Sequence, residues 1–272
     1  MDEATWGSSD VAARWKQGAA ERNRLMEGVT ERMFAEAGVR PGSHVLEIGC
    51  GAGDVAMLLS ARVGPAGHVT ATDGSAAMVD ATSTSLRAAG ATNVTVRVCD
   101  ATALDFPAAS FDAAVGRQVL MFLDLAKALP GIRGVLRDGG RFGAVVWGPT
   151  ANNPFHRIVL DAALDEGGWG DAKLQLVQAF SRGDAGMYEN ALGQAGFRDV
   201  SVSVVHGVRE FSSLEETMKV IRESPIHADP IAHVAEGRQA RAWERVEREI
   251  GGFAQGGPVK LPSEWLVIGA RR

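Results

Sequence analysis

Residues 44–147 predict an α/β fold built on one mostly parallel sheet, and three observations carry that reading. Short apolar runs alternate with segments of helical periodicity, which is the pattern of βαβ units. Glycine, aspartate and cysteine fall at the carboxyl ends of those runs, where open parallel sheets hold their ligands. The first run leads through a glycine cluster straight into a helix. Right-handed crossovers then place helices on both faces of the sheet.

Residues 9–38 read as two helical stretches, with Leu25, Val29, Met33 and Phe34 at helical spacing and no β-branched run. Gly38 and Pro41-Gly42 stop the second stretch. His44–Ile48 is a buried first strand, followed by a helix over Val55–Arg62. His68–Thr72 is the second strand and ends at Asp73; Ser75 caps the next helix, which Gly90 closes. Asn93–Val98 is the third strand, ending at Cys99-Asp100, and Phe111–Gly116 is the fourth. A helix over Leu123–Leu136 stops at Asp138-Gly139-Gly140, and Arg141–Trp147 is the fifth strand. There the alternation lapses. Residues 148–190 read as mostly helical with a loop at 167–170, Phe197–Val205 as a strand, and 213–255 as helices broken near Pro225 and Pro230. Trp265–Gly269 is the last strand.

A chain of 272 residues, 46% hydrophobic and 22% charged, can bury a full core without staples. Two cysteines make no disulfide scaffold. The acidic start Met1-Asp2-Glu3-Ala4 is unlike a secretion signal, and no run of about 18 apolar residues predicts a membrane span. A cytoplasmic protein with no membrane partner is therefore expected. The net charge of −5 and the lack of a basic stripe argue against a nucleic-acid partner. Arg238–Arg248 is interleaved with Glu244 and Glu247 and reads as a solvated helix face. No Cys-x-x-Cys pair or histidine cluster suggests a metal site.

The chemistry concentrates in Glu47-Ile48-Gly49-Cys50-Gly51-Ala52-Gly53. Glycines at 49, 51 and 53 let the backbone turn tightly and let a ligand approach a helix N-terminus. Dinucleotide spacing would put the third glycine at 54, but Asp54 stands there, an acid where a pyrophosphate would approach; the Gly-Lys-Ser/Thr of a phosphate loop is also missing. An acid at the loop entrance suits a cation instead. S-adenosyl-L-methionine carries a sulfonium and an α-ammonium and no phosphate. Asp73, with Gly74 beside it, stands where a carboxylate accepts from both ribose hydroxyls. Asp100 is placed to accept from an adenine amino group, the Ala101 N–H to donate to the ring, and Met78 to line the adenine pocket.

These residues resemble a known family. Val45 to Gly53 is similar to motif I of the class I S-adenosylmethionine-dependent methyltransferases, Asp73 to the acid ending their second strand, and Cys99-Asp100-Ala101 to their adenine-contacting motif. Ser110-Phe111-Asp112-Ala113 matches the entry to their fourth strand. Leu136-Arg137-Asp138-Gly139-Gly140 resembles their Leu-x-Pro-Gly-Gly turn, with Asp138 in place of proline. Ala195-Gly196-Phe197 and Trp265–Arg271 resemble their last two strands, so the likeness covers roughly 30–205 and the C-terminus. Within the superfamily the resemblance is to the ubiquinone/menaquinone-biosynthesis group acting on small molecules.

The resemblance implies a Rossmann-like seven-stranded sheet in the order 3-2-1-4-5-7-6, in a single domain over 1–272. It also implies an N-terminal helical lid over 1–38, bearing Trp6 and Trp15, and helical substrate-cap insertions at 148–190 and 207–258. In that order strand two separates Cys50 from Cys99, putting their Cα atoms about 9–10 Å apart, too far for a disulfide. Both cysteines then line the cofactor pocket. Arg117, following strand four, would touch cofactor or substrate. A general base is needed only if the nucleophile must lose a proton; His156 and Tyr188 are the candidates, with His206, His227 and His233 behind them. Trp147, Phe155, Trp169, Phe180 and Met187 suggest an apolar acceptor cavity. The function implied is methyl transfer to a small apolar or aromatic metabolite at O, N or C, giving S-adenosyl-L-homocysteine. Other chemistry on the same fold, a dinucleotide-dependent oxidoreductase and a homodimeric state are the alternatives left standing.

Overall fold

The computed structural model describes residues 8–167, 182–254 and 256–272. Seven strands form one sheet: β1 (His44–Ile48), β2 (His68–Asp73), β3 (Val94–Val98), β4 (Phe111–Arg117), β5 (Leu136–Trp147), β6 (Arg198–Phe211) and β7 (Val259–Arg271). Their order is β3-β2-β1-β4-β5-β7-β6, as the resemblance implied. The pairs β1–β2, β1–β4, β2–β3 and β4–β5 are parallel. Ten α-helices are present among the described residues: α1 (Ser9–Gln17), α2 (Ala19–Glu36), α3 (Asp54–Val63), α4 (Ala76–Ala88), α5 (Leu125–Val135), α6 (Pro154–Asp165), α7 (Ala185–Gln194), α8 (Leu214–Glu223), α9 (Pro225–Ala232) and α10 (Glu236–Gly251).

The described residues divide into two compact units. The first holds those up to Val146 with Asp184–Val204 and Leu266–Arg272; the second holds those of Trp147–Gly183 and Val205–Trp265. In the first unit Val45, Leu46 and Ile48 of β1 and Met33 and Phe34 of α2 are fully buried, which explains the apolar residues of β1 on both sides of Glu47. Ser75 caps α4 by accepting the Met78 N–H, as its position predicted. The register jumps from Phe111–Leu136 to Ala113–Arg141, so the Asp138-Gly139-Gly140 turn is looped out at the start of β5.

Besides β5, which begins at Leu136 rather than Arg141, two strands run further than their sequence pattern shows. β6 continues past Val205 to Phe211, through a segment expected to open a helical insertion. Its exposed residues alternate with half-buried or buried ones, but Gly207 and Arg209 occupy inward positions and hide the period. Arg209 is buried because its guanidinium lies 4.5 Å from the Trp147 ring centroid and 4.7 Å from that of Phe155. β7 starts at Val259, where Pro262 and the buried polar pair Ser263 and Glu264 mask it. The helical stretch breaks at Ser224, as expected near Pro225, which opens α9 at the position where a missing N–H costs nothing, whereas Pro230 lies inside α9.

Candidate active site

In the first unit, β1 ends at Ile48 and the chain turns through Gly49 (φ 70°), Gly51 (φ 54°) and Gly53 (φ 94°) before α3 opens at Asp54. All three are left-handed, a region that disfavours side chains. Their surroundings differ. A Cβ on Gly49 would lie 2.5 Å from Val119 Cγ2, and one on Gly53 3.2 Å from Thr82 Cγ2. A Cβ on Gly51 would meet nothing within 4 Å, so this backbone borders open space. The loop is held from behind: the Cys50 N–H donates to the Thr72 carbonyl at 2.8 Å and the Thr82 hydroxyl to the Gly51 carbonyl at 2.7 Å.

Asp73 ties the loop to the end of β2. Its carboxylate accepts the Gly51 N–H at 3.0 Å and the Ser75 N–H at 2.9 Å, one on each oxygen. With the Gly74 N–H also directed at it, the carboxylate keeps acceptor capacity for a hydroxyl donor. Burial raises the Asp73 pKa, and the N–H groups of Ser75, Gly51 and Gly74 offset part of that rise. Asp100, past the end of β3, accepts the N–H and hydroxyl of Thr102, both at 2.8 Å, and these bonds lower its pKa. Ala101 follows it in the same turn. Met78 is buried on the first turn of α4. Cys50 and Cys99 are free thiols, and burial pushes both pKa values up, Cys50 most strongly. They are therefore protonated and unreactive at neutral pH.

A buried charge cluster underlies the loop. Glu47 is 1% exposed, and burial raises its pKa to about 8, against the pull of Arg117. Its Oε2 has no hydrogen-bond partner among the described residues. Arg117 is paired with Asp54 at 3.5 Å and donates to Asn23 Oδ1 at 2.9 Å and Thr30 Oγ1 at 3.1 Å. Its guanidinium is thus committed to α2 and α3. Arg22 completes the cluster 2.7 Å from Asp54, and it donates to the Trp15 carbonyl at 2.6 Å while covering that ring at 4.5 Å. Gln118, which follows strand four together with Arg117, has the more unusual geometry. It is left-handed (φ 59°), and neither atom of its buried amide has a partner.

The other candidates scatter. Tyr188 is fully buried on α7 in the first unit. In the second unit, His206 is exposed, 3.4 Å from Glu264, and exposed His233 donates to the Asp229 carbonyl at 2.7 Å. His156 on α6 and His227 on α9 come together there, with Nδ1 and Nε2 respectively 2.8 Å apart. Their rings stack with centroids 5.0 Å apart, and Trp147 lies 4.3 Å from His156. Phe155 stands edge-on to His227 at 4.8 Å, and Trp265 lies 5.8 Å from Trp147. Burial holds His227 down at about 3 and His156 well below the usual imidazole range. Both rings are therefore neutral and share one proton. His227 Nδ1 has no partner among the described residues. Met187 is half-buried on α7; Trp6, Trp169 and Phe180 lie outside the described residues.

Residues 45–140, which contain the loop, Asp73 and Asp100, match a family described as a methyltransferase domain. Over those residues the chain is similar to a methyltransferase domain. A demethylmenaquinone methyltransferase from Symbiobacterium thermophilum is 32% identical over 127 residues, 46% of this chain and 49% of that protein. The chain thus matches about half the length of that curated relative, on the side of the quinone-biosynthesis group to which the sequence pointed. Among solved structures, the YcgJ protein of Bacillus subtilis superposes with a TM-score of 0.59 at 17% identity, covering 90% of this chain and 98% of that one. A phosphoethanolamine N-methyltransferase from Haemonchus contortus, solved with S-adenosylhomocysteine, gives 0.57 at 16% identity over 94% of this chain and 57% of that one. These two share the fold of this chain. Among the described residues, no helix is long and apolar enough to cross a membrane.

Proposed function

We propose that the protein transfers a methyl group from S-adenosyl-L-methionine to a small apolar or aromatic acceptor. The observation that carries this is the Asp73 clamp on Gly51, the loop glycine that borders open space. It joins a backbone surface for close approach to a carboxylate with lone pairs to spare, at the ends of adjacent strands β1 and β2. The donor set fits the cofactor: Asp73 accepts from ribose hydroxyls, Asp100 and Ala101 engage adenine, Met78 covers it, and Glu47 balances positive charge. Asp54 is held by Arg22 and Arg117. When bound, the cofactor supplies an activated methyl group on a cationic sulfur that leaves as a neutral thioether.

The protein's own work is then orientation and exclusion of water. An O–H or N–H acceptor must also shed a proton. The relative acting on demethylmenaquinone makes a quinone-type ring the first acceptor to test. Titration calorimetry with S-adenosyl-L-methionine, followed by transfer of labelled methyl to a panel of quinols and phenols, tests the reading. Micromolar binding with transfer to a member of the panel is the expected outcome; failure to bind the cofactor would refute it.

A further inference from the structure

The free edge of β6 carries a pattern that methyl transfer does not use. β6 stands last in the order β3-β2-β1-β4-β5-β7-β6, so one of its backbone edges has no strand beside it. Within the second unit the strand covers Val205 to Phe211. Gly207, Arg209 and Phe211 face inward there: Gly207 lies against the Trp265 ring, and the other two are buried. His206, Val208 and Glu210 face outward, with side chains 76% and 52% exposed for His206 and Glu210 and Val208 59% exposed. Val208 is the most exposed large hydrophobic residue among the described residues. An edge of this kind is a template for pairing with another strand, and lysine or proline ordinarily blunts it. The stretch 205–211 has neither.

The charge pattern says what the other strand is. When two copies of one strand pair antiparallel about a two-fold axis, facing residues share one hydrogen-bonding direction, so the axis falls on a residue. Three positions compete on the outward face. An axis on His206 sets two imidazoles against each other, and one on Glu210 sets two carboxylates against each other. An axis on Val208 sets Val208 against Val208 and His206 against Glu210 on both sides of it, an apolar centre between two complementary pairs. The inward charge is no obstacle, because Trp147 and Phe155 already sheathe Arg209. Within its own chain His206 lies 3.4 Å from Glu264 and Glu210 3.6 Å from Lys260, contacts that an exposed pair can share. We propose that the protein forms a two-fold homodimer by antiparallel pairing of β6 with β6 of a second copy over 205–211, with Val208 on the axis. So short an interface makes the dimer weak and reversible.

Single cysteines read the register. In Val208→Cys the two Cα atoms face each other at about 4.5–5.5 Å, within disulfide range. Mild oxidation should therefore give a dimer on denaturing electrophoresis that reduction removes, over a low background because Cys50 and Cys99 are buried. Val204→Cys is the control: it faces Ser212 and lies about 26 Å along the strand from its own counterpart, so it should not cross-link. Sedimentation velocity on the wild type should show monomer–dimer exchange at micromolar concentrations. Val208→Lys should be monomeric there with an unchanged thermal midpoint, which separates lost pairing from lost folding. Glu210→Lys should raise the dimer Kd about tenfold, since the two-fold axis makes the change count twice, and adding His206→Glu should recover most of it. A wild type that stays monomeric, a Kd indifferent to Val208→Lys, or cross-linking at 204 and not at 208 would overturn the proposal.

Discussion

Cofactor binding should release a proton from Glu47. The side chain is buried, has one carboxyl oxygen without a partner and titrates at about 8, so it is protonated in the free protein at neutral pH. Burial is the main cause, because it penalises the charged form. A sulfonium or ammonium brought nearby reverses that balance, since an opposite charge in a poorly solvated site favours the carboxylate. At pH 7 a group with a pKa of about 8 is about nine-tenths protonated, so a fall of two or more units releases about 0.8–0.9 proton per bound cofactor. Titration calorimetry at pH 7 in phosphate, HEPES and Tris reads this number directly, as the slope of observed enthalpy against buffer ionisation enthalpy. Glu47→Gln should bring the slope close to zero. A wild-type slope of zero, or one unchanged in Glu47→Gln, would refute the assignment of Glu47 as the counter-charge.

The other predictions follow from the same geometry. Gly49→Ala should destabilise by about 2–4 kcal/mol in urea unfolding, from left-handed strain plus overlap with Val119, and Val119→Ala should restore part of it; Gly51→Ala should cost only about 1–2 kcal/mol of stability yet weaken cofactor binding more than tenfold. Asp73→Ala should weaken cofactor binding by about 1–3 kcal/mol and also lower the thermal midpoint, because the Gly51 and Ser75 N–H groups lose their acceptor. His227 is held at about 3 in the folded state and rises to the ordinary 6.5 on unfolding. Its stabilising effect is full above pH 6.5 and is lost, at about 1.4 kcal/mol per pH unit, as the pH falls from there toward 3. Denaturation midpoints at pH 7 and pH 5 should therefore move closer together in His227→Phe; an unaltered difference would contradict the buried neutral pair.

The βαβ core was legible because each of its signals is local: an apolar run, the cap at Ser75, the glycines after Ile48. The parts that escaped depend on partners distant in sequence. Nothing near Arg209 announces that Trp147 and Phe155 will sheathe its charge and let β6 run on to Phe211. His156 and His227 each read as a lone imidazole, and only the packing of α6 and α9 in the second unit makes them a pair. Arg117 drew attention as a charge after a strand, whereas the geometry commits it to Asp54 and leaves the neighbouring amide open. A left-handed glutamine has no sequence signature, since glutamine carries no preference for that conformation.

Asp54 gives the glycine loop a dependence on chain order. The residue opens α3, but the two arginines that neutralise it come from α2 and from the end of β4, on either side of it in sequence. Until both have arrived, an acid at the head of that helix stands beside Glu47 with nothing to balance it. The loop therefore gains its full charge balance late. It must wait for β4 to pair with β1, a non-local contact that is slow to close. Binding of an S-adenosyl ligand would then appear as one of the last events in refolding, and its amplitude would count only molecules whose N-terminal helices have already docked.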